Sequence, residues 1–245
     1  MTVSKNRTIA IVGVGSSMSR SLALWLASLG WNIALISRSE KNLSTIADEV
    51  KNAQTNKESK VIYRAADAGD PTSLKAALDW CADQFQSKLD VLNYNAAHVS
   101  ESDITNLTPE ELEADFRVAA VGTLVAGQWF TKNARLDNIQ KGERPLLLVT
   151  GGALDKDPQP IFSSLSTVKA ASQTVSRLFA KTLPEKFNIM VGMPLVSGRI
   201  MDPLTGEYID GFHPTDIIQT VFKPFFEDRE KVFDGTESWT VERLL

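Results

Sequence analysis

Short, almost wholly apolar runs alternate along the chain with stretches of helical spacing. Thr8–Val12 (TIAIV), Asn32–Ile36 (NIALI), Lys60–Arg64 (KVIYR), Asp90–Tyr94 (DVLNY), Pro145–Thr150 (PLLLVT) and Asn188–Pro194 (NIMVGMP) read as strands. Between them, Arg20–Leu29 places Leu22, Leu26 and Leu29 on one side and ends at Gly30, and Leu43–Val50 is helical. Asp70 can cap a helix that opens at Pro71 and runs to about Phe85. Thr108-Pro109-Glu110-Glu111 is a helix start with a threonine N-cap, a proline at N1 and a carboxylate at N3, leading into a longer helix over Ala119–Lys132. Ser163–Leu183 and Thr215–Phe226 complete the helices, and Glu237–Leu245 returns to the sheet edge or to an oligomer contact. Strands that are apolar throughout and separated by helices imply a parallel sheet covered on both faces. The expected fold is α/β: a single Rossmann-type, doubly wound domain over residues 1–245.

Composition narrows the setting. The 245 residues are 43% hydrophobic, enough for a substantial core, and the net charge of −4 with mixed signs gives no sign of a nucleic-acid or membrane-surface partner. One cysteine, Cys81, rules out an intramolecular disulfide. No leader-type apolar segment opens the chain, and the apolar runs are far shorter than the ~20 residues of a membrane span. A soluble, cytoplasmic protein is the expectation.

Chemistry enters at the strand ends. Gly13-Val14-Gly15-Ser16-Ser17-Met18 follows the first strand and opens the first helix, where backbone N–H groups and the helix dipole suit a pyrophosphate. The plainer alternative is an ordinary βα turn. The second strand ends at Ser37-Arg38-Ser39, with no acidic residue before Glu40. An acid there would bond a ribose 2′-hydroxyl, whereas an arginine between two hydroxyls favours a 2′-phosphate, and so NADP(H) over NAD(H). A solvated loop arginine is the competing interpretation.

Taken in order and spacing, these features resemble the short-chain dehydrogenase/reductase family over essentially the whole chain. The resemblance matches the family's Gly-x-x-x-Gly-x-Gly loop to Gly13, Ser17 and Ser19, keeping only the first glycine. It matches Asp67, beside Ala68, to the aspartate that bonds adenine. It matches Asn95-Ala96-Ala97 to the Asn-Ala-Gly that lies against the adenine ribose. In Ser197-Gly198-Arg199-Ile200, it sets Gly198 and Ile200 beside the nicotinamide. It also implies a small-molecule substrate, a variable substrate lid near 197–214 with Gly206 and Gly211 as hinges, and a homodimer or homotetramer formed through the helices over 119–132 and 163–183.

The catalytic positions depart from that pattern. Lys169 stands where the family keeps its lysine, but Leu165 replaces the tyrosine four residues before it. The asparagine falls at Ala119, and the serine falls at Gly151 or Gly152, with Thr150 the nearest hydroxyl. The chain is similar to a divergent branch with Thr-Gly-Gly after the fifth strand and Ser-Leu-Ser-x-x-Lys in the helix. In that branch an aromatic often stands seven residues before the lysine; here it is Phe162, which carries no hydroxyl. The tyrosine's proton transfer is worth ~10²–10⁴ in rate, and leucine cannot supply it. Lys169 could act directly or through water, or could serve only the cofactor ribose. Asp155, Asp157, His98 or His213 could supply the proton, or an iminium substrate could need none. The leading expectation is an NADP(H)-dependent reductase of a carbonyl, imine or iminium with an altered catalytic centre. The alternatives are a non-redox cyclase, isomerase or pericyclic catalyst, a cofactor-binding sensor, and a chain that has lost the cofactor.

Overall fold

The computed structural model describes residues 7–137, 139, 143–202, 204–231 and 238–245. The chain start, Pro203 in the expected lid and Glu237 at the head of the expected tail lie outside the described residues. Strand β1 (Thr8–Val12), helix α1 (Met18–Ser28), β2 (Asn32–Ser37), α2 (Glu40–Asn52), β3 (Val61–Ala65), α3 (Pro71–Phe85) and β4 (Val91–Tyr94) form the first half. The second half holds α4 (Pro109–Phe116), α5 (Gly122–Asn133), β5 (Leu146–Val149), β6 (Gly151–Gly152), α6 (Ser163–Phe187) and β7 (Met190–Val196). It closes with α7 (Pro214–Ile217), α8 (Lys223–Lys231) and β8 (Glu242–Leu244). The strands pair in parallel in the order β3-β2-β1-β4-β5-β7-β6, and β8 adds to β7.

Successive strand side chains point to opposite faces, and here both faces are buried. Ile9, Ile11, Ile33 and Leu35 pack with Leu22 and Leu26 of α1 and with Phe222 and Phe225. Ala10, Val12, Ala34 and Ile36 pack with Leu74 and Leu78 of α3, Phe130 of α5 and Leu183 of α6. Burial on both faces explains why the strands read as continuous apolar runs. The result is the expected Rossmann-like arrangement, with loops at the strand carboxyl ends free to build a site.

Local signals set the helix starts. Asp70 accepts from the Thr72 N–H at 2.8 Å, and Thr108 and Glu111 form a reciprocal capping box. Three expectations need correction. The helix expected over 119–132 runs on from α4 through a wide π turn at Arg117–Val121. That turn brings Gly122 so close to buried Tyr94 that a Cβ there would lie 1.8 Å from the phenol oxygen. Helix α6 continues past Pro184 to Phe187 despite the backbone bond that Pro184 cannot donate, and Asn188 closes the end in the left-handed conformation. The helix expected over 215–226, opening at Pro214-Thr215-Asp216, does open at Pro214 with His213 as cap, but it widens into a π turn at Ile218–Phe222 and runs on through α8. The expected return to the sheet edge is made by β8.

Candidate active site

A cleft of about 220 Å³ opens at the carboxyl ends of β1, β2 and β4. Gly13, Ser37, Arg38, Asp67, Ala68, Asn95, Ala96 and Ala97 all line it, together with Gly15 and His98. Gly13 has φ +84°, and a Cβ there would sit 2.4 Å from the Ala96 nitrogen, so only glycine fits between the two loops. A Cβ on Gly15 would meet nothing within 4 Å. The backbone therefore approaches closely at one glycine and leaves open space at the other.

Ser19 braces the loop. Its hydroxyl donates to the Gly13 carbonyl at 3.1 Å and accepts from Asn95 Nδ2 at 2.7 Å, tying the loop to β4's end. Ser16 and Met18 flank the start of α1, and Ser17 is its N-cap. The Ser17 hydroxyl is buried without a hydrogen-bond partner, beside a helix N-terminus whose first N–H groups lack helical acceptors. Asp67 Oδ1 accepts from the Gly69 N–H at 2.9 Å, shaping the turn that carries it into the cleft. Arg38 is exposed on the rim, with Nη2 3.1 Å from His98 Nε2. An orphaned hydroxyl, a glycine cradle and an arginine rim suit a phosphorylated nucleotide.

The remaining expected site residues divide. The Lys169 ammonium donates to the Thr150 carbonyl at 2.9 Å. Lys169 is intermediate in exposure as a whole residue, but protein surrounds its ammonium, and that desolvation pushes its pKa from 10.5 down to about 8. Thr150 thus meets Lys169 through its backbone, while its hydroxyl is buried without a partner. Asp155 Oδ2 is held in a 2.7 Å ion pair with Arg177, which also holds Glu242 of β8. Asp157 takes part in a local turn with Gln159. His98 lines the cleft beside Arg38, and its Nδ1 lies 2.9 Å from Asp115. His213 caps α7 and stacks edge-on with Tyr208 at 4.8 Å.

Gly198 and Ile200 lie outside the cleft walls. Gly198 packs on the Phe212 ring, and the Ile200 carbonyl already accepts from the Ile209 N–H at 2.9 Å. That bond and the Met201–Tyr208 bridge fold the expected lid back on itself. Arg199 anchors it through Glu101 at 3.1 Å and over the Phe162 ring.

The positions expected to have lost hydroxyls are packed full. A Cβ on Gly151 would come 2.6 Å from Leu195 Cδ2, and one on Gly152 would come 2.9 Å from the Val196 carbonyl. Both glycines form a strand against β7, and Gln173 donates to the Gly152 carbonyl at 2.9 Å. Leu165 is 7% exposed, within the protein interior.

Fold and cleft together define the class: a doubly wound α/β domain with its site at the strand carboxyl ends. The short chain dehydrogenase model matches residues 7–196, and the chain belongs to that family. Over 184 residues it is 24% identical to a very-long-chain 3-oxoacyl-CoA reductase of Aspergillus oryzae, a match covering 74% of this chain and 51% of that protein. It is 25% identical over 171 residues to versicolorin reductase stcU of Emericella nidulans, covering 69% and 61%. The chain thus spans only about half to two thirds of these relatives. Among solved structures, it is similar to an alcohol dehydrogenase from the archaeon Thermococcus sibiricus complexed with 5-hydroxy-NADP: TM-score 0.74, 20% identity, coverage 98% and 96%. A Burkholderia phymatum short chain dehydrogenase/reductase in complex with NAD gives 0.77 at 16% identity, covering 94% and 89%.

Sequence reasoning missed Asp115 and Ser164. Asp115 is 7% exposed and accepts from His98 and from the Ser164 hydroxyl. Nothing local marks these residues, because their partners are distant along the chain.

Proposed function

We propose that the chain is an NADP(H)-dependent reductase of a carbonyl, imine or iminium in a small organic molecule, with an altered catalytic centre. The observation that carries this reading is Arg38 on the rim of the cleft at the end of β2, where no carboxylate competes for a 2′-hydroxyl. A bound nicotinamide supplies the hydride chemistry. Gly13, Ser16, Ser17 and Met18 would hold the pyrophosphate, Ser37 and Arg38 the 2′-phosphate, Asp67 and Ala68 the adenine, and Asn95, Ala96 and Ala97 the ribose. Gly198 and the remaining N–H of Ile200 would border the nicotinamide end.

Lys169 is the proton source in this reading. Its Nζ is fixed by the Thr150 carbonyl and keeps further N–H groups for a ribose hydroxyl or a substrate oxygen. A lysine shifted to about 8 gives up its proton near neutral pH far more readily than an ordinary one. Leu124 of α5 and Leu178 of α6 are exposed, consistent with self-association through these helices. The test is absorbance at 340 nm with NADPH and a panel of aldehydes, ketones and cyclic iminium ions. Consumption that requires Lys169 is expected, and its absence across the panel counts against the reading.

The packing at Gly151, Gly152 and Leu165 favours a second reading: a cofactor-binding frame that performs a non-redox rearrangement. It predicts product formed without loss of NADPH.

A further inference from the structure

Four side chains from four parts of the fold form one hydrogen-bonded line at the rim of the cleft. Arg38 Nη2 lies 3.1 Å from His98 Nε2, His98 Nδ1 lies 2.9 Å from Asp115 Oδ1, and the Ser164 hydroxyl donates to Asp115 Oδ2. The partners fix the hydrogen positions. A guanidinium only donates, so Nε2 must accept. A carboxylate only accepts, so Nδ1 carries the hydrogen. Asp115 is buried and spends one oxygen on each neighbour. Ser164 is itself fixed, because its backbone N–H donates to the Ser102 hydroxyl oxygen at 2.9 Å. The imidazole is therefore held in one orientation and one tautomer, with its acceptor nitrogen aimed at Arg38.

We propose that His98 is a specificity-determining residue for the cofactor's 2′-phosphate, acting by positioning Arg38, with Asp115 and Ser164 holding His98 for that task. The inference rests on the reading of Arg38 as the phosphate-binding side chain. An exposed arginine loses much rotamer freedom when it engages a ligand. One already steered to the rim loses less, and the saving accrues only to a ligand that Arg38 touches. His98 thereby affects NADPH and leaves NADH alone.

The test is fluorescence titration of the full chain with NADPH and with NADH, using Arg38→Ala, His98→Asn, His98→Gln and the Arg38→Ala/His98→Asn pair. Thermal unfolding serves as the check on folding. In His98→Asn, the amide nitrogen replaces Nδ1 and keeps the tie to Asp115, but no acceptor faces Arg38. NADPH affinity should fall on the order of 5-fold, the scale of one solvent-exposed hydrogen bond, with NADH unchanged. His98→Gln, whose longer amide returns an acceptor oxygen to the Nε2 position, should recover most of the loss. In the Arg38→Ala background, His98→Asn should cost nothing further. Equal losses for both cofactors, no loss, or an additive loss in the double variant overturns the proposal. If Arg38→Ala leaves the NADPH preference intact, both the proposal and the reading beneath it fall. If Arg38→Ala removes that preference and His98→Asn does not, only the positioning role falls.

Discussion

At the ends of β1, β2 and β4, polar groups face a cleft and brace one another across it: Ser19 with Asn95, Arg38 with His98. At the ends of β5 and β7 the corresponding space is closed by Leu195, Gln173 and the pairing of Gly151–Gly152 with Leu195–Val196. On the proposed reading, the first region is a cofactor-binding surface and the second is a packed region beside Lys169, whose ammonium is held by the Thr150 carbonyl. Here a Cβ at Gly152 would come 2.9 Å from the Val196 carbonyl, so the backbone leaves no room for a side chain at that position.

The contrast can be broken most forcefully at Gly13. Gly13→Val places a Cβ 2.4 Å from the Ala96 nitrogen at a φ of +84°. It should cost about 2–4 kcal/mol in denaturant unfolding and abolish NADPH binding. Next in size is Lys169→Met, which should lower kcat by roughly 10²–10⁴-fold while NADPH affinity changes much less, measured by steady-state kinetics beside titration. The wild-type kcat/KM should fall as pH rises through about 8, where the ammonium loses its proton. Stability should move the other way. The folded pKa is depressed, so between about 8 and 10.5 the unfolded chain binds more protons and stability rises with pH. Lys169→Met should remove that slope in pH-dependent thermal unfolding.

Arg38→Ala sharpens the binding half alone: NADPH should weaken roughly 10- to 100-fold, with NADH held constant, in paired titrations. The smallest effect is expected from restoring the tyrosine. Leu165→Tyr adds volume and a hydroxyl to a buried position, so it should cost about 1–3 kcal/mol in thermal unfolding. It should raise turnover by less than about 10-fold, because the hydroxyl partner after β5 cannot be rebuilt. A large rescue would show that the repacking is superficial.

What was legible in the sequence followed from how local each signal is. Strand positions, the Asp70 cap and the Thr108–Glu111 box depend on neighbours within a few residues, and all are present in the structure. The cleft lining from Gly13 to Ala97 was legible because each residue follows its own strand. The π turn at Arg117–Val121 was not, since it answers to Tyr94 on another element. Asp155 and His98 looked equally available as proton donors. Their contacts are made with Arg177 and with Arg38 and Asp115, partners that no spacing rule reaches. Gly151 and Gly152 read only as the positions matched to a serine after the fifth strand; that they pair with β7 depends on Leu195 and Val196, far along the chain.

The most direct test of the central claim, a working NADP(H) site beside a repacked proton relay, is a paired calorimetric titration of the full chain with NADPH and NADH. The account predicts saturable one-to-one binding of NADPH, roughly 10-fold or more tighter than NADH, the scale of one charged contact to the 2′-phosphate. Failure of both to bind, or equal affinity for the two, would contradict it.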